Sequence, residues 1–171
     1  MSAKNPASAK AASRSADKGP PAVRSLARNR RATHDYQVLE TFEAGITLAG
    51  TEVKSVRQGR IQLKDGYVEF RDGEAYLVGV NIQAYSHGNR QNHLPERPRK
   101  LLLHRHQLNK LFGRSLSKGI TVVPLEVYLK GPWVKVELGL VQGKKQYDKR
   151  QAEKQRTLDQ EAREVVKEQR W

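Results

Sequence analysis

Cysteine is absent from the 171-residue chain, which excludes disulfides, thiol catalysis and cysteine-bound zinc. Long apolar runs are absent too. No stretch reaches the roughly 18–20 residues of a membrane span, and the start, MSAKNPASAKAASRSADKGPPAVR, has no hydrophobic signal segment. A cytoplasmic location is expected, although a Ser- and Ala-rich, Arg-bearing start is also the composition of an organelle transit peptide. Acidic residues are in deficit, 18 Asp and Glu against 32 Lys and Arg.

That deficit is uneven. Residues 1–34 carry 8 basic residues and 1 acidic, residues 35–143 carry 15 and 11, and residues 144–171 carry 9 and 6. Charge per residue is highest outside the middle of the chain. A polyanion is the natural partner, because every phosphate neutralised by Lys or Arg releases condensed counterions. An anionic membrane satisfies the same electrostatics, but the tails lack the aromatic and leucine-rich face that an interfacial helix buries, and Trp171 alone cannot supply it. Nucleic acid is the expected partner, with no membrane, and the protein is expected to be a monomer.

The length accommodates one compact domain plus tails. Residues 1–28, rich in Ala, Ser, Lys, Arg and Pro, have too little apolar surface to offset the entropy of ordering and are expected to be a disordered basic extension. Apolar positions concentrate between Tyr36 and Val141. A first strand begins at Tyr36, with a bend or bulge at Gly45. Thr51 is placed to cap a short helix with Val53 and Val56 on one face and Gly59 as terminator. In YVEFRDGEAYLV the pair Asp72-Gly73 predicts a two-residue type I′ hairpin with Val68 facing Leu77, Phe70 facing Ala75 and Arg71 facing Glu74.

Ser86 to Lys100 has two prolines and no periodicity, and reads as a long exposed loop. From Leu101 to Leu116, the spacing of Leu108, Leu111, Phe112 and Leu116 predicts a helix ended by Gly119. Two alternating runs follow, Val123, Leu125, Val127, Leu129 and Val134, Val136, Leu138, Leu140, joined at Gly131-Pro132. The fold class expected is mainly β, an antiparallel OB-like β-barrel over residues 29–143 with accessory short helices. Residues 144–171 are rich in helix formers, but Leu158, Ala162, Val165 and Val166 make a stripe too thin to dock. This tail is expected to be disordered alone and helical on a partner.

Catalytic patterns are missing. His104 and His106 are two apart and fall on different helix faces, His87 and His93 lie in the loop, and no His-Glu-x-x-His motif exists, so no metal site and no cofactor are expected. His34-Asp35 has no serine or cysteine nucleophile nearby in sequence. Gly139 to Gly143-Lys144 is too short for a phosphate loop. No catalytic residue is assigned and no enzymatic activity is expected. The positive signal is three basic clusters: Asn29-Arg30-Arg31, Arg97-Pro98-Arg99-Lys100 and Lys144-Lys145-Gln146-Tyr147-Asp148-Lys149-Arg150. A charge run is more often a solvated surface than a site, but Tyr147 inside a segment too polar to bury it is placed to stack on an unpaired base.

NRRATHDY (29–36), TFEAGITLAGTEVKSVRQGR (41–60), RKLLLH (99–104) and GKKQYDKR (143–150) occur in an order that resembles the SsrA-binding protein (small protein B) family over residues 29–150. The resemblance implies an OB-like barrel that binds the tRNA-like part of transfer-messenger RNA and delivers it to stalled ribosomes for trans-translation. It implies RNA contacts at Asn29, Arg30, Arg31, His34, Tyr36, Glu43, Arg99, Lys100 and Leu101. Glu43 would accept hydrogen bonds from base edges or sugar hydroxyls, since a carboxylate cannot favour phosphate. The tail residues Lys144, Lys145, Tyr147, Asp148, Lys149 and Arg150 would enter the ribosomal decoding centre, with the tail helical along the empty messenger channel. One departure is local: where the family often has Asp-Pro before RKLLL, this chain has Leu94-Pro95-Glu96. A basic structural ribosomal protein and an RNA-cleaving or RNA-modifying enzyme are the alternatives.

Overall fold

Two tight turns set the strand register. The computed structural model describes residues 22–144, 150, 153–160 and 163. Asp72 and Gly73 both take positive φ, 51° and 71°, the left-handed pair that a twisted two-residue hairpin needs. They join β4 (Tyr67–Arg71) to β5 (Glu74–Val78) in the expected register, with Val68 opposite Leu77 and Phe70 opposite Ala75. Gly131, at φ 60°, turns β8 (Ile120–Lys130) into β9 (Trp133–Gly143), with Lys130 opposite Trp133.

The remaining strands complete a seven-stranded antiparallel sheet in the order β1-β8-β9-β2-β7-β5-β4. They are β1 (Val23–Arg28), β2 (Tyr36–Ile46) and β7 (Arg99–Leu102). The sheet curls until β4 lies against β8, giving the mainly antiparallel, partly open barrel expected from the strand pattern. A two-stranded ribbon of β3 (Ile61–Gln62) and β6 (Asn81–Ile82) sits beside it, with α1 (Arg30–Asp35), α2 (Gly50–Arg57) and α3 (Arg105–Ser115) around it. Leu77, Val80, Ile82, Leu111, Val136, Leu138 and Leu140 fill the main core at full burial.

Bulges redistribute the alternating runs. In β8 the register shifts between Pro124 and Glu126, where proline has no N–H to give the ladder. Val123 and Leu125 therefore leave the main core for a small second cluster with Ala32 and Val141, while Val122 and Val127 stay in the first. The expectation that Val123, Leu125 and Val127 share one face is corrected by this extra residue. The β9 run keeps its face, with Val136, Leu138 and Leu140 buried in the main core and Val134 packed on it. In β2 the shift falls between Val38 and Glu40, not at Gly45. Gly45 instead pairs with Lys135 on one side and Leu102 on the other, where a Cβ would stand 3.2 Å from that of Leu102.

Three boundaries differ from the sequence reading. Val23–Arg28, expected in the disordered extension, is an edge strand on β8, with Leu26 and Ala27 packed on the core. Its backbone partners lie about a hundred residues away, so local composition could not reveal them. Residues 1–21 lie outside the described residues. Arg99 and Lys100, expected in the loop, and Leu101 and Leu102, expected in the helix, form β7, so α3 starts only at Arg105. Phe112 and Leu116 remain exposed. Thr51 does not cap α2; the Glu52 carboxylate does, accepting the Ala49 N–H at 2.8 Å.

Glu52 is completely buried, and so is Arg99. Arg99 Nε donates to Glu52 Oε1 at 2.8 Å, and its other nitrogens donate to the Val80 and Pro95 carbonyls, each at 2.9 Å. Arg97 forks onto both Glu52 oxygens from the outside. One carboxylate thereby ties α2, β7, the β5–β6 connection and the Pro95 loop together. Burial alone would raise the Glu52 carboxyl, but the Arg97 hydrogen bonds, the Ala49 N–H and Arg99 outweigh it and hold the group below its ordinary value. Burial also draws the Arg99 guanidinium down, yet a guanidinium stays protonated at any physiological pH.

Removing one member of a buried pair strands the other. Glu52→Ala or Arg99→Ala should each destabilise the fold by about 3–5 kcal/mol, measured as a fall in urea midpoint, with the two losses far from additive in the double variant. Because the folded Glu52 carboxyl lies below its unfolded value near 4.3, its contribution is present in full above that pH and is lost as pH falls through the lower folded value. Glu52→Gln should flatten that part of the acid-unfolding curve.

Candidate RNA interface

The corner between β1 and β2 collects the first basic cluster. Chain reversal there depends on Asn29, the residue after β1. Its N–H donates to Leu125 O at 2.8 Å, and its side-chain amide donates to Leu63 O at 3.1 Å and Pro124 O at 3.0 Å. Its Oδ1 accepts the Ala32 N–H at 3.1 Å and caps α1. Asn29 thus takes up carbonyls that the β8 bulge leaves off the ladder. It is buried, with both amide hydrogens already donated.

α1 then presents its other residues outward. Arg30 is exposed. Arg31 lies between Asp35 at 3.3 Å and Asp65 at 3.1 Å. His34 contacts Asp35 Oδ1 through Nδ1 at 2.9 Å and Glu153 Oε1 through Nε2 at 2.7 Å. Hydrogen bonds first to Asp35 and then to Glu153 raise the imidazole above its ordinary value, and only the protonated ring donates from both nitrogens. Tyr36 is half-buried against the second cluster.

Seven residues along β2, Glu43 anchors a different patch. The Tyr128 hydroxyl donates to its Oε2, and Lys130 Nζ lies 3.1 Å from both carboxylate oxygens. The Tyr128 hydrogen bond and, against slight desolvation, Lys130 hold this carboxyl below its ordinary value. Burial, then Glu43 itself, push the Tyr128 phenol up. In register, Glu137 stands opposite both Glu43 and Glu126. Three carboxylates therefore cross the β2–β9–β8 face, with Arg28 on Glu126 at 3.2 Å. A surface of hydrogen-bond acceptors rimmed by cations suits base edges and ribose hydroxyls with phosphates alongside.

The RKLLL segment divides. Lys100 is partly exposed and lies 3.4 Å from Glu74. Arg99 and Leu101, expected among the RNA contacts, are buried. The reason is strand parity: in β7 between β2 and β5, alternate side chains must enter the core. Asn29 is buried as well, with its side-chain amide hydrogen-bonded within the fold. Tyr128 and Lys130 were missed; the signal was their two-residue spacing in β8, uninterpretable without knowing that β2 lies across β9.

The tail leaves from the α1 corner. Lys144 N–H donates to Asp35 O at 3.1 Å and its Nζ to Thr33 O at 3.2 Å. Arg150 is exposed; Lys145, Tyr147, Asp148 and Lys149 lie outside the described residues. Residues 153–160 are helical. Gln155–Asp159 and Thr157–Glu153 hydrogen bonds at i,i+4 spacing support this turn, and Glu153 reaches back to His34. Among the described residues no group of three His, Cys, Asp or Glu side chains is arranged to hold a metal, and no helix is long and apolar enough to cross a membrane.

The model for the SmpB protein family matches residues 26–168. This chain belongs to that family. It is 52% identical over 142 residues to the SsrA-binding protein of Enterococcus faecalis, covering 83% of this chain and 92% of that one. It is 54% identical to the SsrA-binding protein of Gloeothece citriformis, over 84% of this chain and 92% of the relative. A solved chain described as "tmRNA-SmpB: a journey to the center of the bacterial ribosome" superposes with a TM-score of 0.61 at 50% identity, covering 70% of this chain and 85% of that chain. The family resemblance drawn from four separated motifs is thereby established.

Two outcomes separate scaffold from surface at the α1 corner. Asn29→Ala orphans buried carbonyls at about 1–3 kcal/mol for an unsatisfied group, so it should lower the thermal midpoint, and any loss of RNA affinity should disappear at temperatures where the variant is fully folded. His34 has its folded value raised, so its contacts contribute fully below about pH 6.5 and are lost as pH rises through the raised value. Glu153→Gln should shift the His34 titration downward in NMR, and the helical tail segment should loosen at lower pH than in the parent.

Proposed function

We propose that this protein is an RNA-binding adaptor, not an enzyme, that binds the tRNA-like domain of transfer-messenger RNA and brings it to stalled ribosomes for trans-translation in the cytoplasm. The observation that carries this reading is family membership at about half identity over most of the chain, joined to a β2–β9–β8 face whose chemistry fits RNA. The barrel chooses the RNA: Glu43 accepts from base edges or sugar hydroxyls, while Arg30, Arg31, His34, Tyr36 and Lys100 supply charge, hydrogen bonds and a ring around it. Asn29, Arg99 and Leu101 act beneath this surface by holding β1, α1 and β7 in place.

The tail engages the ribosome. Lys144, Lys145, Lys149 and Arg150 neutralise rRNA phosphates, with Asp148 among them, and Tyr147 stacks on a base of the decoding centre while the following residues extend as a helix along the empty messenger channel. Residues 1–21 are given no contact. The position of Lys144 against α1 supports a tail that starts beside the barrel's RNA surface, so one molecule can touch two RNAs at once.

Deleting residues 144–171 should leave affinity for the tRNA-like RNA within a few-fold of the full chain and abolish tagging of stalled polypeptides in a reconstituted translation system. Loss of RNA affinity in the truncated protein would refute this division of labour. Arg30→Ala should weaken binding evenly across RNA sequences and reduce the salt slope by about one, whereas Glu43→Ala should weaken binding with the slope unchanged.

A further inference from the structure

A concavity of about 460 Å³ opens between α1, the β3–β4 connection and the start of β8, with Arg31, Tyr36, Lys64, Asp65 and Tyr67 in its lining. The last three belong to none of the basic clusters or family motifs. Their placement is rigid. Gly66, buried between Lys64–Asp65 and Tyr67, packs so closely on the barrel that a Cβ there would lie 2.6 Å from Val80 Cγ2 and 2.9 Å from Pro124 Cγ. The connection is clamped at that point, and Tyr67 emerges beside it at a fixed position as the first residue of β4. Tyr67 is 45% exposed, an aromatic residue that the core does not enclose.

The charged lining is equally specific. Lys64 is exposed and has no ion-pair partner among the described residues, so it is available to an incoming anion. Arg31 is braced by Asp35 and Asp65, which fixes its guanidinium at the rim. Asp65 is itself largely exposed. A carboxylate repels phosphate and accepts from the amino groups of a purine. A stacking ring, a free ammonium, a braced guanidinium and an accepting carboxylate around one concavity match the parts of a nucleotide in turn. The volume is within the range of small-ligand sites, roughly 300–1,000 Å³. Glu43 lies seven residues along β2 from Tyr36, roughly 20 Å at strand rise, so the same nucleotide cannot occupy both places.

We propose that this concavity captures one unpaired purine nucleotide of an RNA, its base stacked on Tyr67 with an amino group on Asp65 and its phosphate on Lys64 and Arg31. This deepens the adaptor reading and rests on it for the source of the RNA, either the tRNA-like RNA or the ribosomal RNA met at the root of the tail. The chemistry required of the ligand is the same for both.

The test uses the full-length protein and fluorescent nine-nucleotide RNAs, one all uridine and one with a single central guanosine or adenosine. The purine strand should bind about tenfold more tightly, and Tyr67→Leu should erase that preference while Tyr67→Phe keeps it, in line with stacking magnitudes. Lys64→Ala should weaken both strands alike and lower the salt slope by about one. Equal binding of the two strands by the unmodified protein, or an unchanged preference in Tyr67→Leu at an unchanged melting midpoint, overturns the proposal. Tyr67→Leu is then measured against the tRNA-like RNA and against isolated small ribosomal subunits. A loss on one of them assigns the purine to that RNA; no loss on either overturns the pocket. Binding of the tRNA-like RNA by the unmodified protein tests the adaptor reading separately, so the two can fail independently.

Discussion

The Glu52 carboxylate and the two guanidinium groups that close on it hold together parts of the chain that share no strand ladder. Glu52 caps α2 through the Ala49 N–H, and Arg99 carries the opposite charge into the core on β7 while donating to the carbonyls of Val80 and Pro95. A carboxylate with no solvent exposure needs paired charge and filled hydrogen-bonding positions, and this one has both. The loop before β7, which contains two prolines and little apolar surface, is anchored by this cluster and by Asn92 folding back on the Tyr85 backbone. With β7 fixed, β2 and β5 lie at their proper separation and the barrel surface above them is set.

Asn29 plays the corresponding part on the other side of the barrel. The bulge forced at Pro124 turns carbonyls off the ladder, and Asn29 answers two of them with its side chain and backbone while its Oδ1 starts α1. The two buried polar knots differ in chemistry but share a logic. Each satisfies backbone groups that irregular geometry leaves open, and each sits directly beneath residues that face outward. A substitution at either position disturbs the outward-facing residues above it through the fold.

Charge on the outward surface is mostly managed in pairs: Arg28 with Glu126, Arg31 with Asp35 and Asp65, Lys110 with Glu40, and Lys130 with Glu43. Such exposed pairs contribute little to stability, but they hold long side chains in defined positions. A braced cation loses less freedom when a phosphate arrives, and a carboxylate between cations can take a hydrogen bond without presenting a bare negative field. The mixed signs on the outward surface thus fit recognition of sugar and base edges better than they fit a uniformly positive track.

The hairpins at Asp72-Gly73 and Gly131-Pro132, the strand-rich middle, the basic ends and the family motifs were all legible from residue order, because turn chemistry, alternation and charge are local properties. Burial of Arg99, Asn29 and Glu52 was not. Arginine in a basic proline-bearing segment has the composition of an exposed loop, and its entry into the core follows from β7 being flanked by β2 and β5. The β8 bulge likewise transfers Val123 and Leu125 to another cluster, and the edge strand at Val23–Arg28 draws its stability from β8, far along the chain. Which polar side chains face outward and which hold the barrel closed depends on pairings between distant strands, and the free energy of those pairings is absent from any single stretch of sequence.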